Sequence, residues 1–561
     1  MSDGGAAVGH APGVIGVVGA GTMGAGIAQL ACLAGARTLL HDPVAEALDR
    51  GAEAVRSALA RGAERGRYDP SEASAAADRL QPAGSLEALA ASALVIEAAP
   101  ESLPVKHEIF ERLSALVAPE AVLATNTSSL PVTAIAAAAS RPERVVGMHF
   151  FNPAPVMRLL EVVVGEESGE YALAVARATG EAMGKRVILA ADGPGFLVNR
   201  CNRPFGLEAL RLVGERVATV EVVDRICRMG AGFPMGPFEL SDLVGVDVGL
   251  DVSKSFYEQS FGEPRWRPSP IAARMVAAGR RGRKAGRGYY DYRSGPHRPE
   301  DPEPPEAGGG RGLVVIAGEG TLVHELRDAA AAAGYDAAWP DEREGEVPEL
   351  IVDCRLGGEE ELDGLARDAV PFGGDDPIEP PLGRGHPVIV QGGPRAILCA
   401  AGSLAALDPQ GTAAGFGVLP PFDEARVVEL TRTSTTADAT AQAAERFFAT
   451  LGKHVEWVGD APGLVLGRIV CQVVNEAAFA LGEGVGSAED IDAGMLLGLN
   501  HPHGPLGWAD LIGLDHVLAV LDGLADEYRE ERYRAAPLLR RLVWEGRLGR
   551  QTGAGFLRHD R

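Results

Sequence analysis

The stretch VIGVVGAGTMGAGIAQ, residues 14 to 29, decides the fold of the first part of the chain. Its apolar strand, VIGVV, leads directly into the glycine-rich turn GAGTMG, and a helical apolar pattern follows. A G-x-G-x-x-G spacing between a strand and a helix is typical of dinucleotide binding, because the glycines permit a tight turn, approach of a pyrophosphate and close helix packing. The predicted cofactor-binding residues of this turn are Gly19, Gly21, Thr22, Met23 and Gly24.

An acidic residue follows the next predicted strand. Asp42 comes twenty-three residues after Gly19, at the end of RTLLHD. A carboxylate at this position accepts hydrogen bonds from the adenine ribose hydroxyls and repels a 2′-phosphate. The sequence therefore predicts NAD rather than NADP as the cofactor.

Strand-like and helix-like segments alternate through the first part of the chain. Further strands are predicted at ALVIEA, AVLATN and RVVGMHF, with helical runs between them. This alternation predicts an α/β Rossmann-type domain with a parallel sheet. From Gly195 the apolar residues follow helical spacing instead, which predicts an all-α domain, and a Pro-, Gly- and acid-rich stretch after it predicts an exposed linker.

The second half of the chain repeats the first in a degenerate form. MGPFELSDLVGVD (235–247) matches HGPLGWADLIGLD (503–515) at six of thirteen positions, at an offset of 268, and PGFLVNR matches PGLVLGR at the same offset. Val323 replaces the third glycine of the turn, so we expect cofactor binding in the second copy to be weak or absent. The predicted domains are a flexible N-terminus (1–13), a Rossmann domain (14–193), a helical domain (194–292), a linker (293–311), a reduced Rossmann-like domain (312–459) and a second helical domain (460–561).

Composition excludes several classes of function. The 561 residues carry a net charge of −24, which would repel nucleic acid and anionic membranes, so a polyanionic ligand needs a local basic site. The six cysteines are scattered without a C-x-x-C pair or a His cluster at metal spacing, so we expect no metal, no disulfides and a cytoplasmic location. No leader segment, membrane span or preceding hydratase-like region is expected.

VVGMHFFNPAPVMRLLEVV, residues 145 to 163, contains a candidate acid–base pair. His149 ends one apolar strand and Glu161 lies within the next. Oxidation of an alcohol needs a base near neutral pKa to take the hydroxyl proton, and a buried carboxylate can fix the tautomer of that base. Taken alone, a histidine on an apolar strand is more often a core residue than a catalytic one.

Six motifs resemble the L-3-hydroxyacyl-CoA dehydrogenase family, which includes the bacterial 3-hydroxybutyryl-CoA dehydrogenases. They span residues 14 to 292 in the family's order. The motifs are GAGTMGAGIAQ (19–29), IEAAPESLPVKHEIFERL (96–113), ATNTSSLP (124–131), HFFNPAPVMRLLEVV (149–163), GPGFLVNR (193–200) and MGPFELSDLVG (235–245).

The resemblance implies roles for particular residues. His149 would be the general base and Glu161 its partner. Ser128 would hydrogen-bond the reacting oxygen, and Asn199 would orient the substrate and the histidine. The resemblance also implies contacts to the nicotinamide half of NAD, from Glu101, Lys106 and Asn126.

The duplicate lacks most of these groups. At the offset of 268, Gly417 lies opposite His149 and Gly467 opposite Asn199, while Glu429 remains opposite Glu161; a different local offset places Gly402 opposite Ser128. Because glycine cannot accept a proton, we expect one active site per chain and a structural or regulatory second half. Glu429 is equally well interpreted as an ordinary strand residue.

Longer bacterial members of the family carry a reduced α/β domain and a second helical domain, and some oxidise 3-hydroxyadipyl-CoA in phenylacetate breakdown. In shorter members the helical domain forms a dimer interface, so the resemblance implies an intrachain pseudo-dimer, with further homo-oligomerisation open. The phosphates of coenzyme A need basic residues. Arg61 and Arg65, four apart on one predicted helix face with Arg56 and Arg67 nearby, are candidates for this site and also for an ordinary solvated face.

The sequence thus predicts reversible NAD-dependent oxidation of an L-3-hydroxyacyl-CoA, a reaction of the β-oxidation type, with 3-hydroxybutyryl-CoA and 3-hydroxyadipyl-CoA as candidate substrates. Two alternatives stay open: a dehydrogenase of a free hydroxy acid on the same fold, and a non-catalytic NAD-binding scaffold.

Overall fold

The computed structural model describes residues 11–343, 346–356 and 392–559. Most of the N-terminus predicted to be flexible, and part of the predicted second Rossmann-like domain, lie outside the described residues. By contacts, the described chain forms two compact units. One contains the residues up to Arg200 together with Glu483–Leu499, and the other contains Cys201–Gly482 and Asn500 onward.

The first unit is built on an eight-stranded sheet in the order β3-β2-β1-β4-β5-β6-β7-β8. All neighbouring strands are parallel except β6 and β7, which are antiparallel. The strands are β1 Val14–Val18, β2 Arg37–His41, β3 Leu80–Ala83, β4 Leu94–Glu97, β5 Val122–Thr125, β6 Val145–Phe150, β7 Leu159–Val164 and β8 Arg186–Ala191. The fold class predicted from the alternating pattern is therefore confirmed, and the near-continuous apolar strands are buried between helices as parallel sheets require.

The helices that cover this sheet follow the strands in sequence. They are α1 Thr22–Leu33, α2 Ala45–Glu64, α3 Pro70–Asp78, α4 Leu103–Leu116, α5 Val132–Ala136 and α6 Glu170–Ala182. The core beneath them joins strand residues such as Val17 and Ile96 to helix residues such as Ile27 and Val55. This layer places the carboxyl ends of β1, β4 and β5 and the ends of α1 and α4 at one edge of the sheet, where α/β folds bind ligands.

The first helical region begins where this α/β layer ends. Its helices are α7 Val198–Cys201, α8 Arg203–Gly214, α9 Val220–Ala231, α10 Pro237–Val244, α11 Val246–Gln259 and α12 Pro270–Ala277. Two buried carboxylates tie its turns together. Asp224 accepts the N–H groups of Phe238 and Glu239, and Asp242 accepts those of Tyr289 and Tyr290, so the segment that ends at Tyr290 is held against α10.

The predicted linker is largely exposed, but it is not free of the helical region. His297 and Arg298 both bind the carboxylate of Glu239, and Asp301 forms an ion pair with Arg228. Burial alone would raise the pKa of Glu239. These cationic partners and their hydrogen bonds outweigh burial and lower the pKa to about 2. Composition predicted exposure correctly and gave no sign of these side-chain contacts.

The second sheet repeats the first in order and direction. Its described strands run β10-β9-β11-β12-β13-β14-β15, and only β13 and β14 are antiparallel. They are β9 Leu313–Ala317, β10 Asp336–Ala338, β11 Leu350–Asp353, β12 Arg395–Leu398, β13 Ala414–Gly417, β14 Val427–Thr431 and β15 His454–Trp457. The described helices that accompany them are α13 Thr321–Ala332, α14 Leu404–Leu407 and α15 Asp438–Thr450.

The second helical region contains α16 Leu466–Gly482, α17 Ala488–Leu499, α18 Pro505–Ile512, α19 Leu514–Tyr528 and α20 Pro537–Trp544. Short 3-10 helices lie at Leu86–Ala91, Pro142–Arg144, Pro264–Trp266, Arg283–Ala285, Pro340–Glu342, Glu531–Tyr533 and Arg550–Thr552. No described helix is both long and apolar enough to cross a membrane. The six cysteines are buried and none forms a disulfide, and the described chain holds no group of three or more His, Cys, Asp or Glu side chains arranged for a metal ion.

Each sheet is covered by a helix from the other half of the chain. In the first unit, α17 packs on β7 and β8, where the carboxylate of Asp490 accepts the Leu189 N–H. In the second unit, α9, which corresponds to α17 at the offset of 268, packs on β14, and Arg225 forms an ion pair with Glu456 of β15. The duplication is therefore reciprocal, because equivalent helices occupy equivalent places on the two sheets.

Glycines on α17 allow its close approach to the first sheet. A Cβ atom at Gly494 would lie 2.7 Å from Val198 Cγ2 and 3.2 Å from Ile188 Cδ1. Gly494→Val should therefore destabilise the protein by about 1–3 kcal/mol through overpacking. Calorimetric unfolding measures this loss.

The control is Gly249→Ala, since Gly249 lies in α11 with no atom within 4 Å of its added Cβ. That variant should be neutral or stabilised by up to about 1 kcal/mol through helix propensity. An unchanged unfolding temperature in Gly494→Val would contradict the packing of α17 described above.

Candidate active site

The glycine turn after β1 has the geometry that a dinucleotide requires. Gly19 adopts a φ of +98°, and a Cβ there would lie 2.5 Å from the Ala98 carbonyl oxygen. A Cβ on Gly24 would collide with the carbonyl oxygen of Gly19, whereas one on Gly21 would meet no atom within 4 Å. The first and third glycines are thus needed for packing, and the second faces open space beside the N-terminus of α1, which no side chain caps.

Asp42 lies beside this turn, as its spacing predicted. Its Oδ2 accepts the Ala20 N–H at 2.9 Å, and its Oδ1 accepts the Val44 N–H at 3.0 Å. These bonds fix the carboxylate against the glycine turn and leave lone pairs on both oxygens for a ribose. Thr22 is exposed and Met23 half-buried at the start of α1.

A chain of charged side chains runs behind the same edge of the sheet. The Lys106 ammonium, 1% exposed, binds both carboxylate oxygens of Glu97 at 2.7 and 2.9 Å and lies 3.4 Å from Glu101 Oε2. Glu97 also accepts hydrogen bonds from the Ala99 N–H and the Thr125 hydroxyl. Lys106 was expected at the cofactor, but the structure buries it between two glutamates, so it reaches the cleft only through Glu101.

Glu101 holds the loop that carries Ser128. Its Oε1 accepts the Thr127 hydroxyl at 2.7 Å, the Ser128 N–H at 2.9 Å and the Ser129 hydroxyl at 2.9 Å. Burial raises the pKa of Glu101, but the Lys106 charge and these hydrogen bonds outweigh it and lower the pKa overall. An ionised Glu101 therefore fixes the loop, while the side chain of Ser128 stays exposed.

His149 and Glu161 lie opposite each other on the antiparallel strands β6 and β7. His149 Nδ1 is 2.6 Å from Glu161 Oε2, and Glu161 Oε1 accepts the N–H groups of Leu197 and Val198 at 3.2 and 3.0 Å. Glu161 is fully buried and His149 is 6% exposed. Nε2 of His149 has no hydrogen-bond partner among the described residues, so it is the nitrogen available to a substrate.

Two aromatic rings flank this imidazole. The Phe151 and Phe196 ring centroids lie 4.7 and 5.7 Å from that of His149. Phe196 adopts a φ of +53°, a left-handed conformation that is uncommon outside glycine. This turn directs the N–H groups of Leu197 and Val198 toward Glu161. The strained backbone at Phe196 therefore helps to hold the acid–base pair in place.

The remaining predicted residues lie around this pair. Asn199 follows Val198 on α7 and is half-buried. Asn126 directly follows β5, and its Oδ1 accepts the Phe150 N–H at 2.8 Å, which leaves its Nδ2 as the side-chain donor. The fold therefore joins His149, Glu161 and Asn199 through β6, β7 and α7, and joins Glu101, Asn126 and Ser128 through α4 and β5.

Sequence reasoning missed two of the residues that support the site. Glu97 is the buried counter-ion of Lys106, and its signal was an acid closing the apolar strand LVIE. Lys185 donates to the carbonyl oxygens of Ala154 and Met157, both at 2.6 Å, and so fixes the loop after β6. No sequence signal reveals these carbonyl acceptors. Burial lowers the pKa of Lys185 to about 8.

The second copy keeps the carboxylate without the imidazole. Glu429 accepts the N–H groups of Val465 and Leu466 at 2.7 and 2.9 Å, the same cradle that holds Glu161. Burial raises the pKa of Glu429 to about 8, and the two N–H groups offset only part of that rise. The expectation that Glu429 persists as a strand residue fits this geometry.

Gly417 pairs with Glu429, as the offset predicted. A Cβ on Gly417 would lie 3.0 Å from Leu464 Cδ1, so an apolar side chain fills the space beside the missing histidine. Leu464 corresponds to Phe196 and has a similar left-handed φ of +47°. The backbone of the site is thus retained while its chemistry is lost.

One predicted correspondence is wrong. Gly402 was placed opposite Ser128, but the strand partners of the corresponding residues Gly147 and Gly415 are Thr125 and Ile397, which are 272 positions apart. This register places Ala400 opposite Ser128. The segment that joins β12 to β13 differs in length from the one that the prediction assumed. Neither Gly402 nor Ala400 supplies a hydroxyl group.

The second glycine turn is closed. Val323 is buried at the third glycine position, and a cavity of only about 10 Å³ remains between the turn and His516 and Gln551 of the second helical region. That volume is about the size of one water molecule. The branched side chain of Val323 and the helices that cover the second glycine turn leave no room for a dinucleotide at that turn.

The arginines considered for coenzyme A lie on or just beyond the last turns of α2. Arg56, Arg61, Arg65 and Arg67 are exposed, and none forms an ion pair with another residue of the described chain. Four unpaired cations form a local basic surface on a chain of charge −24.

The arrangement in the first unit suits proton transfer beside a dinucleotide. A histidine is anchored at Nδ1 by a buried carboxylate, its Nε2 is unbonded, and a glycine turn with an open second glycine lies in the same α/β unit. Such a base can take a hydroxyl proton while its charge is stabilised by the carboxylate. These features favour alcohol oxidation over simple cofactor storage.

Comparison with known proteins identifies similar chains. The family described as 3-hydroxyacyl-CoA dehydrogenase, NAD binding domain, matches residues 14–193, and the family's C-terminal domain matches residues 195–292 and 463–559. The chain is 35% identical over 526 residues to 3-hydroxyadipyl-CoA dehydrogenase of Escherichia coli (strain K12), covering 94% of this chain and 96% of that one. It is 41% identical over 276 residues to a probable 3-hydroxybutyryl-CoA dehydrogenase of Bacillus subtilis (strain 168), covering 49% and 96%.

A solved structure extends this similarity over the whole fold. The crystal structure of 3-hydroxybutyryl-CoA dehydrogenase from Escherichia coli K12 superposes with a TM-score of 0.77 at 33% identity. The match covers 95% of this chain and 99% of that chain, so it includes both copies of the repeat.

The buried Glu429 predicts a specific dependence of stability on pH. Its pKa is raised from 4.5 to about 8 in the folded chain, so folding retains a proton that the unfolded chain loses. The stabilising contribution is present below about pH 4.5 and declines as the pH rises through about 8, by at most about 1.4 kcal/mol per pH unit. Glu429→Gln should remove this decline, which denaturant unfolding across that pH range measures.

The exposed Asp438→Asn is the control and should keep the decline of the unmodified chain. Equal pH dependence in Glu429→Gln and the unmodified chain would show that Glu429 does not hold this proton.

Proposed function

The chain belongs to the 3-hydroxyacyl-CoA dehydrogenase family, and from this premise we propose how its residues carry out the oxidation. The chain is an NAD-dependent oxidoreductase that converts an L-3-hydroxyacyl-CoA to the 3-oxoacyl-CoA. What we propose is the role of each residue. The observation that carries the proposal is the buried pair of His149 and Glu161, with its 2.6 Å hydrogen bond and an unbonded Nε2.

His149 takes the hydroxyl proton of the substrate on Nε2. Glu161 accepts the hydrogen bond from the Nδ1–H of His149 and stabilises the imidazolium that forms, because a carboxylate opposite the new positive charge offsets the burial of that charge. The N–H groups of Leu197 and Val198 keep Glu161 in place during this change. In the reverse direction the imidazolium returns the proton to the oxygen of the 3-oxo group.

Ser128 and Asn199 orient the reacting group. Glu101 fixes the loop of Ser128 through the backbone N–H and also accepts the Ser128 hydroxyl at 3.4 Å. This exposed hydroxyl would turn from Glu101 to donate to the substrate oxygen. Asn199 lies one residue after Val198, next to the N–H groups that hold Glu161. Positioning of this kind contributes by holding reactants in a reactive geometry.

The glycine turn and the edge of the sheet would hold the cofactor. Gly21, with open space at its Cα, and the uncapped N-terminus of α1 would receive the pyrophosphate, and Asp42 would bind the adenine ribose. Glu101 and the side-chain amide of Asn126 would face its nicotinamide half. Bound NAD supplies the hydride acceptor for the carbon that carries the hydroxyl group.

The second half serves as a structural partner in an intrachain pseudo-dimer. Two reciprocal ion pairs at the offset of 268 support this proposal: Arg200 with Glu483 at 2.7 Å in the first unit, and Arg468 with Glu215 at 2.6 Å in the second. Each joins one half of the repeat to the other. An isologous interface has this property, since each contact occurs twice with the partners exchanged.

Contacts within the second unit agree with this interpretation. Helices α8 and α16 pack together, and Arg265 forms an ion pair with Glu476 at 2.8 Å. The Gly494→Val variant described above tests how α17, a helix of the second half, packs on the first sheet. We also propose a reducing, cytoplasmic setting, supported by six buried cysteines that form no disulfide.

The thioester substrate would present its nucleotide to the basic surface of α2. Arg61 and Arg65 carry unpaired charges there, and guanidinium groups bind phosphate through two parallel hydrogen bonds. The alternative of a free hydroxy acid as substrate needs no such surface. The candidate acyl groups are those in the names of the relatives, 3-hydroxybutyryl and 3-hydroxyadipyl.

Loss of the base should abolish most activity. We expect His149→Gln and Glu161→Gln each to lower kcat with acetoacetyl-CoA and NADH by about 10²-fold or more. Oxidation of NADH followed by absorbance measures the rate. Glu429→Gln is the matched control, since it alters the corresponding carboxylate of the second sheet, and it should keep at least half of the activity. Full activity in His149→Gln would refute the assignment of the base.

The basic surface of α2 should affect only substrates that carry the nucleotide. The double variant Arg61→Met and Arg65→Met should raise the KM for acetoacetyl-CoA by about threefold to tenfold, with a smaller effect at high salt because exposed charges are screened. Acetoacetyl-N-acetylcysteamine, which lacks the phosphates, should react equally well with both proteins.

Arg177→Met, on the exposed side of α6, removes a similar charge elsewhere and should leave both KM values unchanged. A double variant that binds acetoacetyl-CoA as tightly as the unmodified chain would place the coenzyme elsewhere.

A further inference from the structure

Glu97, the last residue of β4, is a buried carboxylate to which the proposed mechanism gives no role. Its side chain is 1% exposed. Its Oε1 accepts the Ala99 N–H at 2.6 Å, its Oε2 accepts the Thr125 hydroxyl at 2.7 Å, and both oxygens accept the Lys106 ammonium. A buried charge destabilises a fold unless donors and a counter-ion replace its hydration. Glu97 has both, and its counter-ion has a second partner.

Lys106 lies between two glutamates but is not shared equally. Its Nζ is 2.7 and 2.9 Å from the two oxygens of Glu97 and 3.4 Å from Oε2 of Glu101. Lys106 and Glu97 are each 1% exposed, whereas the side chain of Glu101 is 36% exposed. Two carboxylates and one ammonium sum to one net negative charge. Because the ammonium is closer to both oxygens of Glu97, that excess charge lies mainly at Glu101, the more exposed end of the cluster.

The same short segment borders both the glycine turn and the loop of Ser128. A Cβ on Gly19 would lie 2.5 Å from the carbonyl oxygen of Ala98, the residue after Glu97. Glu101 Oε1, four residues on, accepts the Ser128 N–H at 2.9 Å. All of these residues belong to the first compact unit. The excess charge of the cluster is therefore at the edge of the sheet where the cofactor would bind.

The corresponding acid of the second copy has different partners. β11 pairs with β9 as β4 pairs with β1, which places Asp353 at the position of Glu97. The Asp353 carboxylate forms ion pairs with Arg355 at 2.7 Å and with Arg395 at 3.2 Å. Strand pairing also places Ile397 where β5 carries its threonine, so the hydroxyl donor is absent. One acid between two cations has the opposite sign of net charge from the cluster in the first unit.

We propose that Glu97 takes up the charge of Lys106 so that Glu101 presents a net negative charge to the nicotinamide ring, which favours the oxidised, positively charged ring relative to the reduced, neutral one. This rests on the proposed function, in which Glu101 faces the nicotinamide half of NAD. Glu97 is a positioning residue, since it acts through Lys106 and Glu101. A charge in a partly buried cleft acts more strongly on a cationic ring than it would in water.

The test compares the binding of NAD⁺ and NADH, which share their phosphates and riboses and differ in the charge of the nicotinamide ring. Isothermal titration calorimetry gives the Kd of each without turnover. Glu97→Gln keeps the size of the side chain and removes its charge, so Lys106 would then neutralise Glu101. We expect the ratio of the Kd for NAD⁺ to the Kd for NADH to rise by about fivefold to thirtyfold, because an attraction to the cationic ring is lost.

A double variant separates charge from structure. Glu97→Gln combined with Lys106→Met replaces a pair of opposite charges by two uncharged side chains, so Glu101 keeps its negative charge. We expect the Kd ratio to return to within about twofold of that of the unmodified chain. A role of Glu97 in packing alone would not be rescued by changing a second buried residue.

The double variant also carries the test if Glu97→Gln alone does not fold. Replacing a whole buried ion pair often leaves stability unchanged, whereas removing one partner leaves an uncompensated charge. A Kd ratio raised fivefold or more in the double variant would overturn the proposal.

Two further variants serve as controls. Glu97→Asp keeps the charge and should keep the Kd ratio within about threefold of that of the unmodified chain. Asp353→Asn removes the corresponding carboxylate of the second sheet and should leave both Kd values unchanged. A rise of the ratio in Asp353→Asn as large as in Glu97→Gln would overturn the assignment of Glu97.

The outcomes separate this inference from the proposed function. If the unmodified chain binds neither NAD⁺ nor NADH, the proposed function is overturned, and this inference with it. If the unmodified chain binds both and oxidises NADH with acetoacetyl-CoA, the proposed function stands. In that case a Glu97→Gln variant with an unchanged Kd ratio, including one in which both Kd values rise equally, overturns only the assignment of Glu97.

Discussion

The complete burial of Glu161 is the constraint on which the active site depends. A carboxylate with no solvent contact must be matched by hydrogen-bond donors, and here these are His149 Nδ1 and the N–H groups of Leu197 and Val198. The first donor requires the antiparallel pairing of β6 and β7. The others require the left-handed turn at Phe196, so one buried charge determines strand direction, backbone conformation and the orientation of the base.

The second copy separates the structural role of this carboxylate from its chemical role. Glu429 keeps both backbone donors, and Leu464 keeps the left-handed turn, although no imidazole is present. The cradle therefore belongs to the connection between the sheet and the helical region, and a histidine turns it into an acid–base site. Burial raises the pKa of Glu429 to about 8, and no imidazole is there to offset it.

Local patterns in the sequence predicted the fold, but they predicted the active site only in part. VIGVV followed by GAGTMG predicted β1, the turn and α1, because strand period and glycine spacing are properties of adjacent residues. The two predicted strands suggested His149 and Glu161 as an acid–base pair, but strand patterns do not give the register between them. The family resemblance was needed to favour a catalytic role for His149 over an ordinary core position. Glu97 behind Lys106 and the N–H groups of Leu197 and Val198 were not predictable, because backbone donors leave no mark in composition. The mistaken Gly402 came from an assumed loop length that strand pairing corrected.

Residues 483–499 of the degenerate half pack against the first sheet as part of the same compact unit. β8 is the last strand of the first sheet, and an uncovered edge with apolar neighbours would invite association with other chains. Val485 accepts the Ala191 N–H at this edge, and a Cβ on Gly486 would lie 2.7 Å from Leu197, whose N–H holds Glu161. A side chain at Gly486 would therefore press on Leu197, whose N–H holds the carboxylate on which the first half depends.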